Sequence, residues 1–305
     1  MYRIIEGNSK DILNTFDAES IDCVVTSPPY WNLRDYKTEG QLGQEKTFQE
    51  YIKNLCDIFD EVKRVLKKGG VVFVNIGDTY STISGSMGKG KWKQPKYEVC
   101  NDQMPEKLET GLPTKCLCQI PSRFVIEMID RGWTNRNEII WWRRNQMPQS
   151  VKDRFTVDFE KIYMLTKNAK YYFEQQLEPY TSNPSEKEMW RDKSKEKHGD
   201  INLFSKGPRN YYSKGGRNMR CVWDVPTKPF KGSHYATFPE DLVKPMILAG
   251  CPKGGVVLDP FSGAGTTLLV AEKLGRDSIG IELNPEYIEI AKNRIDVYSK
   301  QYKLF

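Results

Sequence analysis

The sequence contains few histidines and no long apolar run, and these absences narrow the class of protein. No apolar run among its 305 residues approaches the roughly 20 residues that a membrane-spanning helix needs. The segment from Met1 to Gly7 lacks the apolar region of a signal peptide, so we expect a cytoplasmic protein with no membrane partner. Because His198 and His234 are the only histidines, no familiar zinc spacing forms, and we expect no metal site.

The cysteine count and the charge balance give weaker indications. Seven cysteines, an odd number in a chain without an export signal, favour reduced thiols over a disulfide framework. A formal net charge of +6 is compatible with binding a polyanion but does not require one. The length exceeds that of one small domain and predicts a core with an inserted or appended piece.

A short apolar run ends in a rigid polar tip at Ser27-Pro28-Pro29-Tyr30. Residues 22–25 are typical of a strand in a parallel sheet. The two prolines fix φ and remove two backbone donors, so carbonyl acceptors lie between a hydroxyl and an aromatic ring. A planar group with an exocyclic NH₂ would suit this tip, with its amine donating to Ser27 and a proline carbonyl while Tyr30 stacks on the ring. A plain strand and proline turn fit these four residues equally well.

The remaining pattern alternates strands and helices. Residues 48–66 carry apolar side chains at helical spacing, and the segment Lys67–Gly70 is expected to end that helix with a glycine cap. The apolar strand at 71–76 then implies parallel neighbouring strands. Two further strands, at 133–142 and 159–165, predict an antiparallel pair at the sheet edge.

A second motif, residues 256–267, combines a strand, a glycine turn and a helix start. Gly263 and Gly265 allow a ligand to approach the backbone closely. About twenty residues later a second strand ends at Glu282, an acid that can hold both hydroxyls of a ribose. Neither G-x-G-x-x-G nor GK[ST] is present, and Asp259 would repel a phosphate but attract an ammonium group. Together these features favour S-adenosylmethionine as the cofactor.

The two motifs together resemble those of the DNA amino-methyltransferases, which methylate cytosine N4 or adenine N6. The family's [DNS]-P-P-[YFW] tetrapeptide is matched by Ser27-Pro28-Pro29-Tyr30, and its F-x-G-x-G loop is matched by residues 261–265. Because the tetrapeptide comes first and the cofactor loop last, the chain is similar to the circularly permuted β class. The resemblance implies an α/β fold: a Rossmann-like, mostly parallel seven-stranded sheet with helices on both faces and an irregular target-recognition region.

The resemblance also implies a division of the chain. Residues 1–174 would form the catalytic part of the core, with a basic loop at 80–118. Residues 175–232 are aperiodic and basic and would form the target-recognition region. Residues 233–305 would complete the core as its cofactor-binding part.

Cofactor contacts are carried over from the family position by position. Asp259, Phe261, Gly263 and Gly265 would line the methionine side of S-adenosylmethionine, and Glu282 would hold its ribose. The N-terminal turn has Gly7-Asn8-Ser9 where the family often has G-D-S, which places Asn8 near the adenine amine, and Ser9 is expected to cap the following helix. The expected cofactor-binding residues are Asn8, Phe238, Asp259, Pro260, Phe261, Ser262, Gly263, Gly265, Thr266, Glu282 and Leu283.

The expected catalytic residues are those of the tip. The Ser27 hydroxyl and the Pro28 carbonyl would hold the target NH₂ in a more tetrahedral shape, so that its lone pair can attack the sulfonium methyl group in line. No covalent enzyme intermediate is needed, and the chain lacks the Pro-Cys dipeptide of carbon-5 cytosine methyltransferases. A base inside a duplex must be flipped out, and Tyr30 is the residue expected to stack on it.

The substrate is expected to be double-stranded DNA. A serine in the first position of the tetrapeptide favours cytosine N4, because adenine enzymes of this type more often carry an aspartate there. Adenine N6, an RNA, a protein amide substrate and a nucleic-acid-binding protein without catalysis stay open as alternatives. The resemblance also leaves room for a homodimer and for a cognate restriction endonuclease acting on the same site.

Overall fold

The computed structural model describes residues 1–33, 38–81, 110–180, 216–227 and 238–302. Most of the basic loop at 80–118 and of the expected target-recognition region at 175–232 therefore lies outside the described residues, as does the segment 234–237. The chain divides into two compact units, one formed by Met1–Phe173 with Cys221–Phe305 and the other by Glu174–Arg220.

The described strands and helices alternate along much of the chain. The strands are β1 (Tyr2–Glu6), β2 (Ile21–Thr26), β3 (Leu66–Ile76), β4 (Thr134–Trp142), β5 (Phe159–Thr166), β6 (Leu177–Glu178), β7 (Arg217–Asn218), β8 (Val222–Asp224), β9 (Val256–Asp259) and β10 (Asp277–Glu282). The helices are α1 (Ser9–Asn14), α2 (Phe48–Val65), α3 (Ile120–Asp130), α4 (Glu240–Gly250), α5 (Thr266–Lys273) and α6 (Pro285–Tyr302). No helix within the described ranges is both long and apolar enough to cross a membrane.

The larger unit is built on one sheet with the strand order β1-β10-β9-β2-β3-β5-β4-β8. Among these described strands only β5 runs antiparallel to its neighbours, β3 and β4. The predicted mostly parallel α/β sheet is therefore confirmed. It has one strand more than the seven expected, because the three residues of β8 pair in parallel with the outer side of β4.

Helices cover both faces of the sheet. Successive residues of a strand point to opposite faces, and the buried residues of β2 and β3 pack against helices on both sides. Val24, Val72 and Val74 share a buried cluster with the apolar face of α2. Cys23 of β2 and Phe73 of β3 point to the opposite face, toward α4. A β-carbon added at Gly250, the last residue of α4, would lie 2.9 Å from Phe73 Cε2 and 3.0 Å from Cys23 Sγ.

The junction between α2 and β3 differs from the sequence prediction of a glycine cap. Helix α2 ends at Val65, Leu66 is already extended, and residues 67–70 belong to the strand. The pairing of β2 with β3 shifts register at this point, which accommodates the extra residues. Gly70 is required there by close packing, because an added β-carbon would lie 2.6 Å from Leu66 Cγ.

The order of the strands creates a crevice between β2 and β9. From β2 the chain continues through α2 to β3 on one side, whereas from β9 it continues through α5 to β10 on the other side. In an open α/β sheet such a switch point, at the carboxyl ends of the strands, is where ligands bind. The tip after β2 and the glycine turn after β9 therefore meet at this crevice.

The smaller unit is described only at its two ends. There β6 pairs with β7 in antiparallel fashion. The Glu178 carboxylate accepts hydrogen bonds from Arg217 Nε at 2.8 Å and from Arg220 Nε at 2.7 Å.

Candidate active site

A cavity of about 850 Å³ occupies the crevice and is lined by the residues that follow β2, β9 and β10. Its volume is typical of a site for a small molecule or cofactor. All four tip residues line it, as do nine of the eleven expected cofactor-binding residues: Asn8, Phe238, Pro260, Phe261, Ser262, Gly263, Thr266, Glu282 and Leu283. The fold therefore brings the two distant motifs around one space.

The Tyr30 side chain is fixed at its hydroxyl. This hydroxyl donates to Glu160 Oε2 at 2.6 Å, lies 3.2 Å from Asn75 Oδ1 and is the acceptor of a longer contact, 3.4 Å, from Ser27 Oγ. Burial, followed by the negative charge of Glu160, raises the pKa of Tyr30 well above its ordinary value of 10.0. The phenol is therefore neutral at physiological pH.

Glu160 belongs to a half-buried polar network behind the tip. Its other carboxylate oxygen pairs with Arg143 Nη1 at 2.7 Å, and both side chains are largely shielded, with 13% and 18% of their surface exposed. Asn75 Nδ2 donates to the same Glu160 oxygen that receives the Tyr30 proton, at 3.0 Å. Sequence reasoning missed these three residues. The one available signal was the polar Asn75 inside the apolar run of β3.

The two proline carbonyls of the tip differ in their surroundings. The Tyr51 hydroxyl of α2 donates to the Pro29 carbonyl at 2.9 Å. Among the described residues, none donates to the Pro28 carbonyl. Of the two proline carbonyls, that of Pro28, which the sequence analysis expected to accept from the target amine, is thus the one without a hydrogen-bond donor in the described part of the chain.

The Tyr30 ring passes very close to the backbone at Gly77, directly after β3. A β-carbon added there would lie 2.4 Å from Tyr30 Cε2, which is closer than real β-carbons come. Because Glu160 holds the hydroxyl end of the ring, the ring cannot move aside freely. The Tyr30 ring therefore occupies space that is available only because residue 77 has no side chain.

We expect Gly77→Ala to lower methyl transfer about 10- to 100-fold, because displacing a positioned group by a fraction of an ångström is sufficient to do so. Gly69→Ala, on β3 itself, is the matched control, since its added β-carbon would make only an ordinary 3.8 Å contact with Tyr172 N. Initial rates and thermal unfolding of both variants check this. Equal rates in the two variants would contradict the role of Gly77.

Asp259 does not face the cavity, in contrast to the expected contact with the ammonium group of the cofactor. It is 1% exposed, and both carboxylate oxygens are occupied. Thr26 Oγ1 donates to Oδ1 at 2.6 Å, Thr267 Oγ1 donates to Oδ2 at 2.7 Å, and the Phe261 amide donates to Oδ1 at 3.1 Å. Asp259 therefore ties the residue before the tip to the glycine turn and to the start of α5.

The buried position of Asp259 changes its titration. Burial raises the pKa of the carboxyl group to about 6 from an ordinary value of 3.8, although the hydrogen bonds from Thr26, Thr267 and Phe261 oppose this shift. The ionised form is thus maintained at neutral pH by three donors in an otherwise apolar setting.

Gly265 also serves the fold rather than the cavity. It caps α5 with a φ of +74°, and an added β-carbon would lie 2.7 Å from Ala291 Cβ of α6. A left-handed backbone and close helix packing both exclude larger residues here. Gly263, by contrast, lines the cavity, and no atom lies within 4 Å of an added β-carbon.

In the N-terminal turn, the helix cap is not the residue expected from the sequence. Asn8, not Ser9, caps α1, because its side chain accepts a hydrogen bond from Lys10 N at 2.9 Å. The Ser9 hydroxyl is buried and donates to the Pro260 carbonyl at 2.5 Å. Asn8 still lines the cavity, and Ser9 attaches the turn to the glycine loop.

The residues around the glycine turn fit a cofactor with a ribose. Glu282 Oε2 accepts from Gly263 N at 2.7 Å, Oε1 accepts from Asn284 N at 2.9 Å, and burial raises the pKa of this carboxyl group. The neighbouring Ser262 Oγ is buried without a hydrogen-bond partner in the described part of the chain. A cavity wall with a positioned carboxylate is suited to a ligand that carries hydroxyl groups, as a ribose does.

Comparison with protein families and solved structures gives one consistent result. A family model described as DNA methylase (N6_N4_Mtase) matches residues 21–293. The Type II methyltransferase M.SmaI of Serratia marcescens is 39% identical over 96% of this chain and 90% of its own length. The Type II methyltransferase M.Cfr9I of Citrobacter freundii is 40% identical over 96% of this chain and 87% of its own length.

Two solved structures share the fold. The PvuII DNA methyltransferase, described as cytosine-N4-specific, aligns with a TM-score of 0.63 and 20% identity over 96% of this chain and 87% of that chain. A Thermus thermophilus protein described as a DNA modification methylase, in complex with S-adenosyl-L-methionine, aligns with a TM-score of 0.59 and 23% identity over 97% of this chain and 94% of that chain.

Proposed function

We propose, since the chain belongs to the DNA methylase family of the N6/N4 type, that its methyl acceptor is the exocyclic N4 amine of a cytosine in double-stranded DNA. The chain is a methyltransferase, and its cofactor is S-adenosylmethionine. The choice of cytosine depends on one observation, the serine at position 27. Ser27 stands where adenine enzymes more often carry an aspartate, and the structural neighbour described as cytosine-N4-specific supports the same choice.

The tip would activate the amine through two acceptors. The Ser27 hydroxyl directs its proton toward Tyr30, so its lone pairs are available to an amine proton. The open Pro28 carbonyl would take the second amine proton. Withdrawing the amine from conjugation with the ring makes its lone pair nucleophilic, and most of the rate then comes from holding it in line.

The same contacts offer a route for the proton that the amine loses. S-adenosylmethionine, when bound, would supply an electrophilic methyl group on a sulfur that leaves as a neutral thioether. The amine must release one proton as its new N–C bond replaces the S–C bond. That proton would pass to Ser27 Oγ, the Ser27 proton to the Tyr30 oxygen, and the Tyr30 proton to the Glu160 carboxylate, which lies 2.6 Å away. Arg143 Nη1 would stay paired with the other oxygen of Glu160, from which it lies 2.7 Å.

Cofactor contacts would come from the far wall of the cavity. Glu282 would accept hydrogen bonds from the ribose hydroxyls, since it lies at the end of β10 and lines the cavity. Ser262 and Gly263 would lie beside the cofactor, and Asn8 and Phe238 would enclose it. Asp259 would act indirectly, by fixing the turn that carries these residues.

The relatives suggest a biological setting. Both M.SmaI and M.Cfr9I are named Type II methyltransferases, and we infer a restriction-modification role, with a cognate endonuclease that cuts the same site when it is unmethylated. The region 175–232 would recognise that site. Adenine N6 is the alternative target, because an adenine also presents an amine beside a ring nitrogen.

Product analysis tests the proposed target. Duplex DNA incubated with the protein and methyl-labelled S-adenosylmethionine should acquire label, and hydrolysis to nucleosides should yield N4-methylcytosine. N6-methyladenine as the sole product would overturn the choice of base but not the family. Label found only in RNA or protein would overturn the DNA substrate. Sequencing of the methylated positions would then define the site.

A further inference from the structure

The loop between β4 and β5 starts and ends at the active site. Arg143 at its beginning and Glu160 just after its end both line the cavity, and Arg143 N donates to the Asp158 carbonyl at 2.7 Å, which closes its base. The loop, residues 143–158, therefore projects from the rim that surrounds Tyr30.

Three apolar side chains of this loop are directed into solvent. Phe155 is 97% exposed, Met147 is 77% exposed and Val151 is 41% exposed. Isolated apolar residues on a surface are common, but several on one loop at the rim of an active site indicate a binding surface.

The exposed phenylalanine is held by a fixed backbone. The Arg154 guanidinium lies 4.2 Å from the centre of the Tyr80 ring, and its Nη1 donates to the Phe155 carbonyl at 3.1 Å. Asp153 forms an ion pair with Lys115 at 2.5 Å. Both residues that precede the phenylalanine are thus anchored, and its ring extends outward.

The charge of the loop favours one kind of partner. It carries four basic residues, Arg143, Arg144, Lys152 and Arg154, against two acidic ones, Asp153 and Asp158. Arg143 and Arg144 pair with Glu160 and Asp224 outside the loop, whereas Lys152, three residues before the phenylalanine, is exposed. A basic surface with a projecting apolar ring matches the wedges that proteins insert between stacked base pairs. A duplex from which one base has been removed leaves an apolar gap of the size of such a ring.

We propose that Phe155 inserts into the DNA duplex beside the target base and occupies the space that the flipped base leaves. This rests on the proposed function, because only an enzyme that acts on a base inside a duplex needs it. Phe155 is then a positioning residue: it does not touch the reacting amine, but it stabilises the extruded state in which the amine reaches Ser27 and Tyr30. Lys152 would contact a flanking phosphate.

The test compares paired and unpaired targets. Two duplexes are used, both centred on the site found by methylation sequencing; in one, the target base is paired, and in the other, it faces an abasic position. Phe155→Ala should lower kcat/KM about 10- to 100-fold on the paired duplex and leave it within about threefold of wild type on the unpaired duplex, where extrusion costs little. Phe155→Trp should retain most of the activity on both.

Control measurements distinguish a failure of the Phe155 proposal from a failure of the proposed function. Val297→Ala removes an apolar side chain that is 56% exposed on α6, and it should behave like wild type on both duplexes. If Phe155→Ala lowers kcat/KM equally on both duplexes, or does not lower it on the paired duplex, the proposed insertion of Phe155 is refuted. Absence of methylation by the wild-type protein on any DNA would instead refute the proposed function.

Discussion

Replacing Tyr30 with alanine should lower the rate of methyl transfer to DNA about 100-fold or more, with little change in the affinity for S-adenosylmethionine. The variant removes the proposed stacking surface for the base and the acceptor that orients the Ser27 hydroxyl. The proposed cofactor-binding residues around Glu282 follow other strands and do not contact the ring in the described part of the chain. Single-turnover rates and calorimetric titration of the cofactor measure the two effects separately.

Tyr30→Phe is the informative companion variant. It keeps the ring but lacks the hydroxyl that contacts Glu160 and Ser27. If the hydroxyl carries the amine proton away, this variant should lose about 10-fold or more in rate while it still binds DNA normally. A Tyr30→Phe variant as active as wild type would leave only the stacking role, and a Tyr30→Ala variant with normal rates would refute both roles.

Replacing Asp259 with alanine should lower the free energy of unfolding by about 3 kcal/mol and also weaken cofactor binding strongly. Three donors would lose the carboxylate that accepts from them: the buried hydroxyls of Thr26 and Thr267 and the amide of Phe261. The turn that carries Ser262 and Gly263 would then no longer be fixed to β2. Denaturant unfolding and cofactor titration check these effects.

Asp259→Asn is the matched control because its amide oxygen can accept from Thr26 and Phe261, and its amide nitrogen can donate to Thr267. The Thr267 hydroxyl can then donate fully to the Val25 carbonyl, which it already approaches at 3.3 Å. We expect this variant to fold and to bind the cofactor better than the alanine variant. Equal defects in both variants would show that the negative charge itself, and not the hydrogen bonds, is required.

The asparagine variant also reveals the pH dependence of the buried carboxyl group. Because the pKa of Asp259 is about 6 in the folded protein and 3.8 is its ordinary value, the unfolded chain loses the proton first as pH rises. The contribution of Asp259 to stability is therefore complete below pH 3.8 and is lost as pH rises through 6. Asp259→Asn does not titrate. Its free energy of unfolding should therefore rise by up to about 3 kcal/mol relative to that of wild type as the pH increases from acid to neutral. A constant difference would contradict the raised pKa.

The local motifs were readable from the sequence because they are made by backbone chemistry. Two consecutive prolines after an apolar strand and two glycines before a helix constrain the chain wherever they occur. The parallel arrangement followed from the alternation of strands and helices. The order of the two motifs then predicted that they meet, and the pairing of β2 with β9 brings them together.

Errors in the sequence prediction arose where several local structures were compatible with the same residues. Lys67–Gly70 has the composition of a helix end, yet it stays extended, because Lys67 Nζ pairs with the Asp22 carboxylate and the Gly69 carbonyl accepts from Tyr172 N, two partners that are distant in the chain. Asn8 and Ser9 are both good helix caps. Only the carbonyl of Pro260, distant in the chain, decided that Ser9 would turn inward.

The sequence by itself determined the family, the sheet and the identity of the tip, since each depends on short runs of residues with strong backbone preferences. The tertiary structure alone decided how the tip is held. Tyr30 and Glu160 are 130 positions apart, and Thr26 and Asp259 are 233 positions apart, so no local pattern relates them. Asp259 became an internal link and Glu160 the partner of Tyr30 because a buried carboxylate must find donors, and the fold alone brings those donors within reach.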